Sequence, residues 1–290
     1  MKRRNFIRLG VLGAVLYPLA SRRVLAFAQD YKMETLRGGV GYFTEAGGTI
    51  AWFNSPEGWV VVDAQFPHSA KHLVEALQKS NPKFKYLINT HHHGDHTGGN
   101  LVFKDLVSEV YAHTNALENL KRITTDPDSM LFPNKTFSTE ESLKLGEETI
   151  DLIYQGAGHT NGDIIIHFRK ANIVHMGDLV FNRRFPYIDK TSGANIASWI
   201  QVLEKTKKRF NADTIYIFGH AGDHYPVTGG AEDLTAFQNY LQQLLNYVTS
   251  EKEKGKTLED LLQTKVIPGA EEWKGEGIER SIQAAWQELS

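Results

Sequence analysis

Apolar runs rich in β-branched and aromatic residues alternate along the chain with stretches of helical spacing. Residues 48–54 (GTIAWFN) and 58–63 (GWVVVD) predict two strands joined by the Ser55-Pro56-Glu57 turn. Residues 69–80 predict an amphipathic helix closed by Asn81-Pro82. Residues 84–89 (FKYLIN) predict a buried strand, 98–104 a helix start, 107–112 a short strand and 115–124 a helix. The second half repeats the rhythm. Residues 149–154, 164–168, 171–175 and 214–218 predict strands. Residues 197–210 predict a helix with a Lys-rich end that matches its dipole, 231–253 a long helix, and 258–263 and 277–289 two more. Strands followed by helices in both halves predict two sheets with helices on their outer faces.

Residues 1–28 stand apart from this rhythm. Lys2, Arg3, Arg4 and Arg8 precede an apolar stretch at 9–20, and Ala26-Phe27-Ala28 supplies a small-x-small cleavage site. The stretch is interrupted by Gly10, Gly13 and Pro18 and is too short to span a bilayer. Arg3-Arg4-Asn5-Phe6-Ile7-Arg8 resembles the twin-arginine export motif, so 1–28 reads as a cleaved signal for a periplasmic or otherwise exported protein. The mature domain is then 29–290, with a C-terminal helical extension from about 254.

Charge and composition narrow the function. The chain has 290 residues, 41 % of them hydrophobic and 23 % charged, enough for a sizeable core. Six basic and no acidic residues lie in 1–28, so the mature chain carries 26 basic against 34 acidic side chains. That acidity disfavours nucleic-acid binding, where clustered positive charge supplies the affinity. It favours a soluble protein acting on a small molecule, with no stable membrane insertion. Oligomeric state is not written in the pattern. There is no cysteine, which excludes disulfides, thiol catalysis and thiolate metal sites.

Metal-capable residues cluster at predicted strand ends. His91-His92-His93-Gly94-Asp95-His96 follows the strand ending at Asn89. His91 and His93, two apart, project to one side of an extended segment. Asp95 and His96 come after a glycine that lets the chain turn, so they can address a neighbouring point. His159, Asp178 and His220 each follow a Gly just past an apolar strand. Such loops line the functional crevice of layered α/β folds.

These four motifs, in this order, resemble the signature of the metallo-β-lactamase superfamily over roughly residues 35–230. The resemblance implies an α/β fold, the αβ/βα four-layer sandwich of two mixed β-sheets with helices on the outer faces. It assigns His91, His93 and His159 to one metal, Asp95, His96 and His220 to a second, and Asp178 as a bridge. Nitrogen and oxygen ligands suit two Zn(2+), with Fe or Mn also compatible. The implied reaction is hydrolysis of an ester, thioester, lactone or related carbonyl bond by a metal-bridging hydroxide, oriented by Asp95 as the catalytic carboxylate.

The resemblance also sorts the branches. Dedicated antibiotic-destroying branches carry Cys or Ser where this chain has Asp178, and oxygen-reducing di-iron relatives carry Glu where it has His93. Alternatives within reach are a mononuclear iron persulfide dioxygenase and a non-catalytic periplasmic zinc-binding protein. Asp63 resembles the buried aspartate that braces the histidine loop. Asn182, Arg183, Arg184, His224 and Tyr225 are substrate-binding candidates, the arginines for a substrate carboxylate. His92 is expected to face away from the metals and His175 to sit in the core. His68, His72, His113 and His167 are expected at the surface. Loops at 38–47 and 124–137 are expected to carry specificity.

Overall fold

The computed structural model describes residues 31–290, so the segment 1–28, expected to be an export signal, lies outside the described residues. Seven strands form a first mixed sheet in sequential order: β1 (Lys32–Arg37), β2 (Val40–Thr44), β3 (Ile50–Ser55), β4 (Gly58–Val62), β5 (Phe84–Ile88), β6 (Glu109–His113) and β7 (Lys135–Phe137). It is antiparallel from β1 to β4 and parallel from β4 to β7. The second mixed sheet joins β8 (Glu140–Leu145), β9 (Glu148–Ile153), β10 (Ile165–Phe168), β11 (Ile173–His175), β13 (Ile215–Ile217) and β15 (Thr228–Gly229). A short parallel pair, β12 (Phe181–Asn182) with β14 (His220–Ala221), lies apart from both.

The central strands of both sheets are buried on both faces, which is why they read as continuous apolar runs rather than alternating ones. Val60 and Val62 of β4 pack inward with Ile150, Leu152, Ile166 and Phe168 of the other sheet. Trp59 and Val61 of the same strand pack outward against Leu73 and Leu77 of α1 (Pro67–Gln78). On the far side, Ile165, Val174 and Tyr216 pack against Trp199 of α4 (Ile196–Arg209) and Phe237 of α5 (Ala231–Glu253). Helix, sheet, sheet, helix is the αβ/βα sandwich. Each fully buried aliphatic side chain contributes about 1.5–3 kcal/mol to it.

Two differences from the sequence reading matter for the site. The predicted specificity loop 38–47 is largely strand: β2 occupies its centre, because Val40, Tyr42 and Phe43 are buried by both neighbours. The predicted helix start at 98–104 is a 3-10 turn (Asn100–Phe103) preceded by the single turn α2 (Gly94–Thr97).

The C-terminal stretch packs onto the core. Trp273 stacks on Tyr240 of α5, with ring centroids 5.0 Å apart. Helix α7 (Ile278–Glu288), which follows the short α6 (Leu258–Leu261), ends at Glu288. That carboxylate accepts the backbone N–H groups of Ile196 (2.8 Å) and Ala197 (2.9 Å) at the start of α4. Orphan donors at a helix N-terminus favour such an anion. The same carboxylate pairs with Lys190 at 2.9 Å. Among the described residues no helix is long and apolar enough to cross a membrane.

Candidate metal centre

Strand ends from both sheets converge at one edge of the sandwich, where the backbone is cross-tied. Thr49 N–H donates to the Gly219 carbonyl at 2.8 Å, and Gly219 N–H to the Gly177 carbonyl at 2.8 Å. The core residue His175 donates Nε2–H to the Thr49 carbonyl at 2.9 Å, while Gly177 N–H donates to its Nδ1. These bonds fix the loops carrying Asp178 and His220 against the residue that leads into β3.

Two groups of donors lie side by side, each with its atoms within 4.8 Å of one another: His91, His93, His159 and Asp178, and Asp95, His96 and His220; a third, His92, His93 and Asp189, shares His93 with the first. In the first, His93 Nδ1 lies 3.1 Å from His91 Nε2 and 2.8 Å from His159 Nε2. In the second, Asp95 Oδ2 lies 3.1 Å from His220 Nε2 and 3.9 Å from His96 Nε2. Asp178 touches both. Its Oδ2 is 3.4 Å from His159 Nε2 and its Oδ1 is 3.0 Å from His96 Nε2. Yet Asp178 Oδ1 and His96 Nε2 are both buried without a hydrogen-bond partner, because their alignment is wrong for one. Buried polar atoms left unmatched cost about 1–3 kcal/mol each. A cation between the groups would satisfy them, so the donor set fits a metal.

The outer nitrogens of four rings are held by the protein. Asp63, at φ +66° after β4, accepts from His96 Nδ1 (2.7 Å), Thr90 N–H (2.8 Å) and the Thr90 hydroxyl (2.7 Å). The Thr90 oxygen in turn lies 3.0 Å from His91 Nδ1. The His159 Nδ1–H donates to the Tyr187 carbonyl at 2.5 Å. His93 Nε2–H donates to Asp189 Oδ2 at 3.0 Å. Each bond fixes a tautomer and turns the other nitrogen inward. Asp63 thus joins the Thr90 backbone to the His96 ring. Asp189 and Tyr187 are supports the sequence reading missed. The Asp189 turn is legible locally, since its carboxylate accepts Thr191 and Ser192 N–H, but its contact with His93 spans 96 positions.

Electrostatics separate the two groups. Burial first, and neighbouring imidazoles next, hold His91 well below the ordinary histidine value and His159 at about 3. Burial also opposes charge on His220, but Asp178 and Asp95 outweigh it and lift that ring to about 8. Asp178 and Asp63 likewise outweigh burial at His96 and raise it. Burial opposes ionisation of Asp95, yet His220 and His96 prevail and lower it to about 2.

Gly48 shows how tightly the second group is packed. A Cβ there would lie 2.1 Å from His96 Cε1 and 2.2 Å from its Nε2, on a ring pinned by Asp63 and facing Asp178. Gly48→Ala is expected to lower metal content by about one equivalent and to cost roughly 1–3 kcal/mol of stability, as overpacking does. Elemental analysis beside a thermal melt checks this. Unchanged metal content would mean the ring has room to move.

The remaining candidates are placed as follows. His92 turns its Nε2 to the Ser192 hydroxyl at 3.1 Å, outside both groups. His113 is not at the surface: it is buried, stacks on Tyr154 at 4.0 Å and accepts Asn115 N–H at the start of α3 (Thr114–Ile123). Asn182 is buried, donates to the Pro226 carbonyl and lies outside the cavity lining. Arg183 is committed to Asp233 (2.5 Å) and Glu272 (3.3 Å), a surrounding its sequence neighbourhood did not reveal. A cavity of about 370 Å³ is lined by five of the donors, His93, Asp95, His159, Asp178 and His220, and by Arg184, Tyr187, Glu276 and Arg280. His224 and Tyr225 line a second, larger cavity beside it.

Fold and donor set together define an αβ/βα protein with residues at one edge that could hold metal. The family model of the metallo-β-lactamase superfamily matches residues 44–220, more than half of the chain, and the chain belongs to that superfamily. It is 24 % identical over 212 residues to a metallo-β-lactamase type 2 of Elizabethkingia meningoseptica, covering 72 % of this chain and 80 % of that one. It is 28 % identical over 192 residues to the 2,4-dinitroanisole O-demethylase subunit alpha of a Nocardioides species, covering 64 % of this chain and 56 % of that protein. Among solved structures, a metallo-β-lactamase from Pontibacter korlensis superposes with a TM-score of 0.64 at 18 % identity, over 73 % of this chain and 99 % of its own. A sec-alkyl sulfatase double mutant superposes with a TM-score of 0.69 at 13 % identity, over 89 % of this chain and 50 % of its own.

Proposed function

We propose that this member of the superfamily is a di-zinc hydrolase of an ester, thioester or lactone. His91, His93 and His159 would hold one ion, Asp95, His96 and His220 the other, with Asp178 between. The observation that carries the reading is Asp178, whose two oxygens reach both donor groups. Imidazole and carboxylate donors suit Zn(II), with Fe or Mn also compatible. Bound metal supplies a polarised carbonyl and a water acidic enough to attack near neutral pH.

The chain's own contribution is orientation. Asp95, the least buried of the donors at 31 % side-chain exposure, faces the cavity and stays ionised, so it can align a nucleophile and take up a proton. Tyr187 and Phe181 wall the cavity with aromatic surface. The relatives named for β-lactam cleavage share the scaffold. Asp178, standing where the dedicated branches carry Cys or Ser, favours other carbonyl substrates here. Export to the periplasm is proposed from residues 1–28 alone.

Elemental analysis of protein purified without added metal, followed by a screen of aryl esters, thioesters, lactones and β-lactams, tests the reading. About two zinc ions per chain with turnover of an ester-type substrate supports it. A single iron would favour the persulfide dioxygenase. Two ions with no turnover would favour a zinc-binding accessory protein.

Metal uptake should depend on pH in one direction. His220 lifted to about 8 is protonated below that pH, and a metal must displace the proton. Affinity at the second position is expected to fall as pH drops below 8. At the first position burial already holds His91 and His159 neutral, so its uptake is expected to release fewer protons than the second. Calorimetry in two buffers of different ionisation enthalpy reads proton release. Equal release by both equivalents would contradict the assignment.

A further inference from the structure

The cavity over the metal donors adjoins a second one. Arg184, Glu276 and Arg280 line it and also line a neighbouring cavity of about 910 Å³, bounded further by Arg183, Gly222, His224, Tyr225 and Lys274. The three shared side chains therefore form a neck between a small chamber at the reacting centre and a large polar one. Two of them are guanidinium groups.

The arginines around the neck are not alike. Arg183 is spent: Asp233 and Glu272 pair with it, and it stacks between Tyr225 and Trp273 at 5.6 and 5.5 Å. Arg184 and Arg280 make no ion pair with any described carboxylate. Arg280 rests its guanidinium over the Tyr187 ring at 5.8 Å, and that ring lies 5.4 Å from the His93 ring. It is thus one aromatic ring removed from the metal donors. Glu276 faces the same neck without an ion pair to either arginine. Two uncommitted planar forks at one constriction form a receptor for a carboxylate or phosphate.

Arg280 and Glu276 lie beyond residue 220, where the match to the superfamily domain ends. They are carried by α7 and the turn before it. That segment is fixed to the core through Ser281 Oγ on the Pro186 carbonyl and Glu288 on the start of α4. The C-terminal segment therefore reaches the reacting centre from a fixed base.

We propose that Arg280 and Arg184 clamp an anionic group of the substrate at the neck, so that the enzyme selects carbonyl compounds carrying a carboxylate remote from the scissile bond. This rests on the hydrolase reading above and names the substrate class for that site. The larger chamber takes whatever extends beyond the anion. Glu276 opposes the anion and so sharpens the choice against more highly charged molecules.

The test compares 4-nitrophenyl hydrogen glutarate and adipate with neutral 4-nitrophenyl valerate. The ratio of kcat/KM for anionic over neutral ester is the readout, together with binding of adipate to the zinc-loaded protein by calorimetry. Wild type is expected to favour the anionic esters. Arg280→Ala and Arg184→Ala are each expected to lower the ratio about ten-fold and to weaken adipate binding similarly. Arg280→Lys should recover part of the ratio, and Glu276→Gln should raise it. A ratio near one in wild type, or one unmoved by both alanine variants, overturns the proposal. If no ester is turned over, the hydrolase reading fails. Adipate binding lost in Arg184→Ala and Arg280→Ala would then still sustain the anion clamp, and adipate binding equal in all variants would end it.

Discussion

Asp178→Ala is expected to abolish hydrolysis, with kcat/KM reduced more than about a hundred-fold, beyond the 10–100-fold that loss of an outer support brings. Bound metal should drop by about one equivalent. The reason is the position of the carboxylate. Its oxygens lie 3.4 Å from His159 and 3.0 Å from His96, so it is the one side chain that neutralises charge at both groups. Removing it leaves the raised His96 and His220 without their main anionic partner. The metal-free variant should therefore lose the imidazolium character of both rings and take up its remaining metal with less proton release. Asp178→Asn keeps the volume and tests charge alone. Full activity with two metals in either variant would refute the bridging assignment.

Asp63 is the second residue expected to matter greatly, although it touches no substrate. It accepts three hydrogen bonds at 0 % exposure and holds a left-handed φ that Asp and Asn tolerate better than other side chains. Asp63→Ala breaks a buried charged network and should cost about 3–5 kcal/mol. Asp63→Asn is the sharper experiment. It keeps the size and backbone preference but presents an amide N–H to His96 Nδ1. The imidazole then has to move its proton to Nε2, the nitrogen that should face the metal. A 10–100-fold loss of affinity at the second position is expected with only modest loss of thermal stability. Metal titration against a melting curve separates the two. Equal metal affinity in wild type and Asp63→Asn would show that the tautomer of His96 is set elsewhere.

Much of the fold was legible because the sandwich buries its central strands on both faces. Runs such as 58–63 and 214–218 stood out as strands for that reason. The strands that went unread, β1, β7, β8 and the short β12, β14 and β15, lie at sheet edges or are two or three residues long; β7 falls in the stretch 124–137 expected to be a loop. In β1 the exposed Glu34, Thr35 and Arg37 dilute the apolar signal. β2 was unread because glycines flank it and suggested a loop. His113 looked like a surface residue because nothing nearby in sequence foretells its stacking on Tyr154.

The sequence by itself determined the chemistry available: seven nitrogen and oxygen donors in four motifs, no sulfur, and an order shared with one superfamily. Those properties are local, since they depend on residue type and spacing of a few positions. Only the tertiary structure decided which arginine faces the cavity. Arg183 and Arg184 are indistinguishable neighbours in the chain, but Asp233 and Glu272, fifty and eighty-nine positions away, neutralise the first and leave the second free. The same holds for Arg280 and Asp189, whose roles come from contacts closed by packing of α7 and the 189–193 turn onto the site. Hydrophobic burial sets those contacts across long sequence separations, and no local pattern encodes them.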